Sequence, residues 1–349
     1  METKVLKIDS NDIDFHKKIE EAADIIKRGG LVVFPTETVY GIGADATNSE
    51  SVSNIFKAKG RPSDNPLIIH ISSPSEAEKY TYTNETYYKL AEHFMPGPIT
   101  VVMPSKETVP LITRGGLDTV AVRCPENLIA NSLIKFSGVP IAAPSANLSG
   151  SPSPTSSQHV IDDMSGRVDM IIDGGECDFG LESTIVKVEE DSSLILLRPG
   201  KITVEDLSSI GCEVKIADAV YDKLKDGEKA ISPGMKYRHY APRAQVILLD
   251  GDFDKKVEYI KNNSTGSVAI IAYNEEVEEI KNILPDTTVY SFGVRDDEMT
   301  QAKRLFNILR DIDKGEYNSV YAPLPNKNGV GLALYNRMIR AAAHTVIQL

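Results

Sequence analysis

The chain has 349 residues, more than a single hydrophobic core usually supports, so two domains are expected. Hydrophobic residues make up 41% and charged residues 25% of the sequence, which is ordinary for a globular protein and excludes a disordered one. The formal charge of −12 argues against a broad nucleic-acid surface, because phosphates are neutralised by clustered Lys and Arg. A local basic pocket remains compatible with this charge.

The cysteines and the N-terminal segment indicate the compartment. Cys124, Cys177 and Cys212 are odd in number, lie far apart and form no CxxC pair, so neither a disulfide framework nor a zinc site is supported. Residues 1–14 lack the apolar segment of a signal peptide, and no apolar run approaches the roughly 20 residues that span a bilayer. We therefore expect reduced core thiols in a cytoplasmic protein without a membrane partner.

The first 212 residues mix short apolar strands with irregular turns. Helical spacing of apolar residues predicts a helix from Asn11 to Arg28 that ends at Gly29, and a second helix from Ser51 to Lys59 that ends at Gly60. Strands are predicted at 67–71, 99–103, 120–123 and 139–143. This mixture predicts an α/β (α+β) fold with a twisted mixed sheet and flanking helices.

After about residue 245, strands and helices alternate regularly. The most regular helix carries one apolar stripe, formed by Met299, Ala302, Leu305, Phe306 and Leu309. Strands are predicted at 245–249, 268–273, 287–292 and 319–321. The alternation predicts a smaller, Rossmann-like, doubly wound parallel sheet. We predict a catalytic domain at 1–212, a linker at 213–244 and a C-terminal domain at 245–349.

Two motifs in the first half carry most of the functional information. Residues 35–43, Pro-Thr-Glu-Thr-Val-Tyr-Gly-Ile-Gly, place a hydroxyl-rich turn directly after the apolar run 31–34. Lys59-Gly60-Arg61-Pro62 then ends the second helix, where a point charge and a forked guanidinium together suit phosphate groups. Cations at a helix end also compensate the helix dipole, but Asn65 and its flanking prolines constrain the following chain. These motifs predict a pocket for a nucleoside triphosphate and a small polar substrate.

Polar residues at other predicted strand ends are weaker candidates, since each also suits a plain turn or strand end. Pro144-Ser145-Ala146-Asn147 follows the predicted strand 139–143. Arg123 needs an anionic partner if it is buried, and a substrate carboxylate would serve. His70 lies inside a predicted strand, where a satisfied core histidine is the commoner interpretation. The remaining candidates are Thr119, Glu182-Ser183-Thr184 and Arg198-Pro199-Gly200, of which the last two flank a predicted hairpin.

Other ligand-binding motifs are absent or weak. The sequence has no GxxxxGK[ST] loop and no HExxH, and its six histidines are scattered, so neither a Walker cradle nor a protein metal site is indicated. Residues 41–46 match the dinucleotide pattern GxGxxA, but Pro35 already ends the strand before it and no convincing acidic residue follows about 20 positions later. We interpret these glycines as positions where the missing side chain leaves space beside the pocket.

The motifs at 35–43, 59–66, 144–147, 182–184 and 198–200 occur in the order of the YrdC-like domain. The chain closely resembles the L-threonylcarbamoyladenylate synthase family in its longer form, which residues 232–242 and 331–337 also match, so the resemblance covers nearly the whole sequence. It implies that L-threonine, bicarbonate and ATP give threonylcarbamoyl-AMP and pyrophosphate, the first step of threonylcarbamoyladenosine formation in tRNA.

The resemblance also implies roles for individual residues. ATP would be bound by Lys59, Arg61, Asn65, Thr119, Ser145, Asn147, Ser153, Arg198 and Tyr237, with Lys59 and Arg61 as catalytic residues. L-threonine would be bound by Thr36, His70, Arg123, the backbone of Ala143, and Ser183, with Arg123 opposite the carboxylate. Mg²⁺ would bind mainly through ATP phosphates, without a protein metal site. The product would pass to a tRNA threonylcarbamoyl-transferase complex as one expected partner.

The linker is a candidate lid, because a carbamoyl adenylate hydrolyses readily and benefits from exclusion of water. Aromatic and basic residues at 237–240 lie between Gly234 and Pro242, and Tyr237 is expected to contact the nucleotide. An ordinary interdomain tether is the alternative.

Three other functions compete with this interpretation. A YrdC-like RNA-binding module without adenylating activity predicts salt-sensitive tRNA binding that does not depend on ATP, and the net charge weighs against it. A carbamoyltransferase of metal-centre maturation would carry cysteine-rich zinc modules, which are missing. A nicotinamide-dependent oxidoreductase rests only on the GxGxxA match.

Overall fold

The computed structural model describes residues 2–222 and 240–349. These residues form two compact units: one comprises 2–149 and 153–222, and the other comprises 150–152 and 240–349. Each unit has its own sheet and its own cluster of buried apolar side chains. The expectation of more than one folded unit is therefore met.

The first unit contains an eleven-stranded sheet with flanking helices. Its strands are β1 (Lys4–Lys7), β2 (Val32–Phe34), β3 (Gly41–Asp45), β4 (Ile68–His70), β5 (Ile99–Pro104), β6 (Thr119–Arg123), β7 (Ile141–Ala142), β8 (Met170–Asp173), β9 (Thr184–Val188), β10 (Leu194–Arg198) and β11 (Val214–Ile216). Its helices are α1 (Phe15–Lys27), α2 (Ser49–Lys59), α3 (Glu85–Phe94), α4 (Leu128–Ser137), α5 (Ser157–Met164) and α6 (Val204–Ser209), with short 3₁₀ turns at Pro74–Lys79 and Asp218–Val220.

The strand order is β1-β8-β2-β3-β7-β4-β6-β5-β9-β10-β11, and it confirms the predicted mixed sheet. For example, β4 runs parallel to β6 but antiparallel to β7, and β5 runs parallel to β9 but antiparallel to β6. The predicted hairpin is also present, because β9 and β10 pair antiparallel.

Local sequence signals place the first two helices, with small differences at their ends. Helix α1 begins at Phe15 rather than at Asn11, and Gly29 after it has a φ of 85°. Helix α2 begins at Ser49, because the side chain of Asn48 accepts hydrogen bonds from the first turn, and it ends at Gly60 in the left-handed conformation. Both predicted helices are confirmed.

Residues 41–46 do not form the strand-to-helix turn of a dinucleotide site. Most of this segment is strand β3, which pairs antiparallel with β2. A Cβ atom on Gly43 would lie 2.6 Å from the Phe34 ring and 2.7 Å from Ile141, so core side chains, rather than a pocket, fill the room at this glycine. The interpretation of Gly43 as room beside a pocket is wrong, and the oxidoreductase alternative loses its only motif.

The strand predicted at 139–143 is shorter than expected. Only Ile141–Ala142 forms β7, which pairs with both β3 and β4 before the chain turns at Pro144.

The three cysteines are free and buried, and burial raises the pKa of the Cys124 thiol to about 12.

The second unit contains a five-stranded sheet that is parallel throughout, as predicted. Its strands are β12 (Gln245–Asp250), β13 (Val268–Ala272), β14 (Thr288–Ser291), β15 (Ser319–Pro323) and β16 (Val346–Gln348), in the order β14-β13-β15-β12-β16. Its helices are α7 (Phe253–Asn263), α8 (Val277–Ile283), α9 (Glu298–Lys314) and α10 (Gly331–Ala341), with a 3₁₀ turn at Asn274–Glu276. The apolar stripe predicted on α9 is buried except for Met299, which is 41% exposed because it lies in the first turn of the helix.

The predicted linker, residues 213–244, falls only partly within the described residues. Strand β11 pairs in parallel with β10, so the first sheet extends into the range that was predicted as linker. Residues 223–239 lie outside the described residues, and Tyr237 is among them. Tyr240 is buried, has a φ of 62° and stacks on Phe306 with ring centroids 5.1 Å apart. The domain boundaries and the lid therefore stay predictions.

No helix in the ranges 2–222 and 240–349 is long and apolar enough to cross a membrane.

The packing of α1 against the sheet yields a stability test. Ile19 is fully buried among the core residues of the first unit, so we expect Ile19→Ala to lower the free energy of unfolding by about 2–5 kcal/mol through lost burial and a residual cavity. Urea unfolding followed by far-UV circular dichroism measures this difference, since the chain contains no Trp. Ile13→Ala is the control because Ile13 is fully exposed, and an equal loss in both variants would contradict the packing of α1.

Candidate functional site

The turn between β2 and β3 is the first element of the site, and residues 35–40 are all buried. The hydroxyl of Thr36 donates to the Val39 carbonyl at 2.7 Å and accepts from the backbone N–H groups of Thr38 at 3.1 Å and Val39 at 3.2 Å. Thr36 therefore closes the turn and fixes its backbone.

His70 and Arg123 lie side by side on neighbouring parallel strands. They are register partners at the ends of β4 and β6, and both side chains are buried. The Ala143 backbone is close to the same strand, because its N–H donates to the Ile68 carbonyl at 3.0 Å. Three residues predicted to bind L-threonine are thus brought to one region of the sheet by β4 and its two neighbours.

The anionic partner of Arg123 is Glu37, which the sequence interpretation missed. Arg123 Nη2 donates to Glu37 Oε1 at 2.6 Å, and the two side chains are only 5% and 8% exposed. A substrate carboxylate was the partner expected from sequence, but the turn itself already supplies one. The signal was present in the buried Pro-Thr-Glu-Thr motif, where a carboxylate inside an otherwise uncharged turn requires a cation.

Glu37 and His70, the two titratable residues next to Arg123, differ in charge. Burial acts to raise the pKa of Glu37, but the charge and hydrogen bond of Arg123 act against it, and the net effect holds the pKa below the ordinary glutamate value. Burial, and next the charge of Arg123, lower the pKa of His70 to about 3. At neutral pH the site therefore contains an ionised Glu37, a cationic Arg123 and an uncharged His70.

The tautomer of His70 follows from its hydrogen bond. Its Nδ1 lies 3.3 Å from the Ile141 carbonyl, and a carbonyl can only accept, so Nδ1 carries the proton. In the neutral ring, Nε2 is then a hydrogen-bond acceptor. An acceptor in this position suits a hydroxyl or an ammonium group of a ligand.

Lys59 links the end of α2 to the segment after β7. Its ammonium donates to the carbonyls of Ser145 at 2.5 Å and Asn147 at 2.6 Å, and the side chain is almost completely buried. The hydroxyl of Ser145 in turn donates to Asn147 Oδ1 at 2.6 Å. These contacts bring three of the predicted ATP-binding residues together.

Arg61 and Asn65 lie in the segment that follows α2. Arg61 is half-buried, and its Nη2 donates to the Pro66 carbonyl at 3.3 Å. Asn65 is 1% exposed, and within the described residues its Oδ1 has no hydrogen-bond partner. A buried amide oxygen without a partner is costly, so it points to a group that a ligand would satisfy.

Ser183 connects two further elements of the site. Its hydroxyl lies 2.8 Å from the Thr100 hydroxyl on β5, and Arg198 at the end of β10 donates to its carbonyl at 3.0 Å and to its hydroxyl at 3.1 Å. The adjacent Glu182 accepts a hydrogen bond of 2.5 Å from Ser153. Ser183 and Arg198 thus share one hydrogen-bond network, and Ser153 is connected to it through Glu182, the neighbour of Ser183 in the chain.

Two predicted residues are not part of these networks. Thr119 begins β6, at the opposite end of the strand from Arg123, which is about 13 Å for four residues at the usual rise. It borders a cavity of about 640 Å³ that Lys187 and Lys215 also line. Tyr237 lies outside the described residues.

In the described ranges 2–222 and 240–349, no group of three or more His, Cys, Asp or Glu side chains is arranged to hold a metal ion. Mg²⁺ in such a site would be bound by phosphate oxygens, and the cationic and amide groups at Lys59, Arg61 and Asn65 fit a metal that arrives with its polyphosphate. Asn65 Oδ1 is the buried oxygen that has no partner in the described part of the chain.

Family comparisons cover nearly the whole chain. Residues 24–200 match the Sua5/YciO/YrdC family model, described as "Telomere recombination", and residues 202–343 match the model described as "Threonylcarbamoyl-AMP synthase, C-terminal domain". Proteins named threonylcarbamoyl-AMP synthase are 44% identical in Pyrococcus abyssi and 40% identical in Bacillus subtilis, covering 95% of this chain in both cases and 96% and 94% of the relatives.

Solved structures agree with this similarity. The structure of Pyrococcus abyssi Sua5 complexed with L-threonine matches with a TM-score of 0.88 and 41% identity, covering 100% of both chains. A second structure, of a doubly substituted variant of the same protein, matches with a TM-score of 0.90 and 40% identity, covering 99% of this chain and 98% of that one.

The lowered pKa of His70 predicts how stability depends on pH. With a folded-state pKa of about 3 against an ordinary value near 6.5, the unfolded chain binds a proton that the folded chain does not, so stability falls as pH decreases from about 6.5. We expect His70→Gln, which cannot titrate, to show a shallower decrease between pH 6.5 and 5, with a difference that grows to about 1.4 kcal/mol per pH unit near pH 5. Urea unfolding at several pH values measures both slopes, and equal slopes would contradict a neutral, buried His70.

Proposed function

Because the chain belongs to the Sua5/YrdC family of threonylcarbamoyl-AMP synthases, in the two-domain form, we propose that the site described above makes threonylcarbamoyl-AMP from L-threonine, bicarbonate and ATP. The observation that carries the proposal is the full-length match to proteins of that name, and the buried side chains of the predicted motif residues support it. Pyrophosphate is the second product.

The chemistry of this reaction makes limited demands on the protein. The amine of threonine adds to bicarbonate and water leaves, which gives a carbamate. A carbamate oxygen then attacks the α-phosphorus of ATP, and pyrophosphate departs with the electron pair of the broken bond. The nucleophile belongs to the substrate, so the protein's contribution is to position the reactants and stabilise charge.

We assign L-threonine to the region around His70, Arg123 and Ser183. The guanidinium of Arg123 suits the α-carboxylate, since within the described residues its buried Nε has no hydrogen-bond partner. Nε2 of His70 offers an acceptor to the hydroxyl or the amine, and the Ala143 backbone lies beside it. Thr36 contributes by fixing the turn that carries Glu37.

We assign the ATP phosphates to the segment 59–65 and to the segment 144–147. Lys59 and Arg61 supply positive charge toward the leaving pyrophosphate, and Asn65, Ser145 and Asn147 supply hydrogen-bonding groups. Ser153 and Arg198 belong to the Ser183 network and would bind the nucleotide from that side. The roles of Thr119 and Tyr237 rest on the family resemblance alone.

Magnesium, when bound through the phosphates, neutralises charge on the leaving group. Lys59, Arg61 and Asn65 would hold the polyphosphate that carries it.

We also propose that the protein acts in the cytoplasm and passes its product to a tRNA threonylcarbamoyl-transferase complex, since the adenylate is a reactive intermediate.

The alternative is a YrdC-like RNA-binding module without adenylating activity. The buried character of the candidate residues disfavours it, because a nucleic-acid surface needs exposed Lys and Arg, whereas Lys59, Arg123 and Arg198 are all buried.

Pyrophosphate release tests the proposed reaction directly. We expect release from ATP and Mg²⁺ to require both bicarbonate and L-threonine, and to be weaker with L-serine, which lacks the methyl group. In Arg61→Ala we expect kcat to fall by about 100-fold, because one preorganised cation is lost from the phosphate site.

The matched control for this prediction is Lys57→Ala, two residues before Lys59 on the same helix. Lys57 is exposed and its ammonium contacts only the Asn54 side chain among the described residues, so pyrophosphate release should stay within about twofold of the wild type. Release that does not depend on threonine, or tRNA binding without any release, would favour the RNA-binding alternative.

A further inference from the structure

Glu37 is the one charged side chain in the buried turn 35–40, and it is not among the residues predicted from sequence to bind a ligand. We propose that Glu37 is a positioning residue, which holds the Arg123 guanidinium in the orientation that receives the α-carboxylate of a zwitterionic amino acid. This inference rests on the proposed function, since it specifies how the threonine region of that site recognises its ligand.

The carboxylate of Glu37 is itself held firmly. The Glu37 carbonyl accepts from the Phe179 N–H at 2.9 Å, and the hydroxyl of Thr36 closes the turn around it. Oε1 of Glu37 accepts a hydrogen bond from Arg123 Nη2 at 2.6 Å, and Oε2 of Glu37 lies 3.4 Å from the backbone nitrogen of Asn127 at the start of α4. A side chain fixed on both its backbone and its carboxylate can determine where the guanidinium points.

The remaining donors of Arg123 indicate what it is oriented for. A guanidinium has five N–H donors, and Glu37 is the partner of Nη2. Arg123 Nε is buried, and within the described residues it has no hydrogen-bond partner. A buried N–H without an acceptor is unfavourable, so an incoming carboxylate that accepts from it restores a lost hydrogen bond.

The charge balance indicates the class of ligand. Glu37 and Arg123 cancel one another, and His70 beside them adds no charge at neutral pH. A buried region with no net charge accommodates an entering zwitterion at low cost, because no extra charge has to be desolvated without compensation.

Two conservative substitutions distinguish a role of Glu37 in positioning Arg123 from a role through its negative charge alone. Glu37→Gln removes the charge but keeps an oxygen at the same reach, so Nη2 can still donate to it. Glu37→Asp keeps the charge but is one methylene shorter, so it cannot hold Nη2 in the same place. If Glu37 acts by positioning, Asp is the worse replacement, whereas a role through charge alone makes Gln the worse one.

The experiment measures the KM for L-threonine and kcat in threonine-dependent pyrophosphate release, with threonine binding by calorimetry alongside. We expect Glu37→Asp to raise the KM for threonine and the Kd by about tenfold, equivalent to about 1.4 kcal/mol, with kcat at saturating threonine within about threefold. Glu37→Gln should retain most of the threonine affinity, and the KM for ATP should stay within about twofold in both variants.

The matched control is Glu276→Asp in the second unit. Glu276 is also buried and ion-paired with an arginine, but Arg295 is 44% exposed, so this control reports the cost of shortening a buried glutamate with a smaller contribution from the ion pair. Its KM for threonine should equal the wild-type value. An effect of Glu276→Asp as large as that of Glu37→Asp, or a larger effect of Gln than of Asp at position 37, would overturn the proposal.

Failure of the proposed function has a different signature. If the wild-type protein binds no L-threonine by calorimetry and releases no pyrophosphate, the function itself is wrong and the role of Glu37 falls with it. If the wild type does both and Glu37→Asp behaves like the wild type, only the positioning role is overturned.

Discussion

The charge of Arg123, buried at the end of β6, has to be balanced inside the protein, and the rest of the candidate site depends on how this is done. Glu37 balances it from the turn between β2 and β3. The ion pair therefore ties together segments that are 86 residues apart in the chain. Removing either partner would leave the other as an uncompensated buried charge, so the two segments are fixed relative to one another.

A second long-range tie has a different physical basis. The ammonium of Lys59 donates to two backbone carbonyls after β7, which brings the end of α2 to the segment 144–147. Backbone carbonyls in an irregular segment need donors when they are buried, and Lys59 supplies them. The same contacts place a cation beside the Ser145 and Asn147 side chains. Lys59 thus serves the fold and, under the proposed function, the phosphate site.

The distribution of charge suits a small anionic ligand better than a nucleic-acid backbone. The protein carries a net charge of −12, yet Lys59, Arg123 and Arg198 are buried in one unit and Arg61 is half-buried in the same unit. Cations inside a low-dielectric pocket act strongly at short range, while the acidic surface repels extended phosphate backbones. A triphosphate can therefore be bound by a protein whose surface disfavours non-specific RNA binding.

Much of the fold was predictable because its signals are local. The glycines that end α1 and α2 and the alternation of strand and helix after residue 245 each depend on neighbours in sequence. Two predictions from the spacing of apolar residues differ from the structure. Helix α1 begins at Phe15 rather than at Asn11, and Met299 lies in the exposed first turn of α9.

The sequence by itself determined two helices and several strands of the first unit, the alternation of strands and helices in the second, the two kinds of sheet and the set of motif residues, because periodicity, turn chemistry and residue type act over a few positions. Only the tertiary structure decided that Glu37 is the partner of Arg123, that Lys59 binds the carbonyls of Ser145 and Asn147, and that Gly43 makes room for Phe34 and Ile141. These contacts join residues on different strands and loops, and no local pattern encodes which buried donor will meet which buried acceptor. The physical reason is that buried charges and polar groups require partners, while the chain's topology alone determines which partner lies within reach.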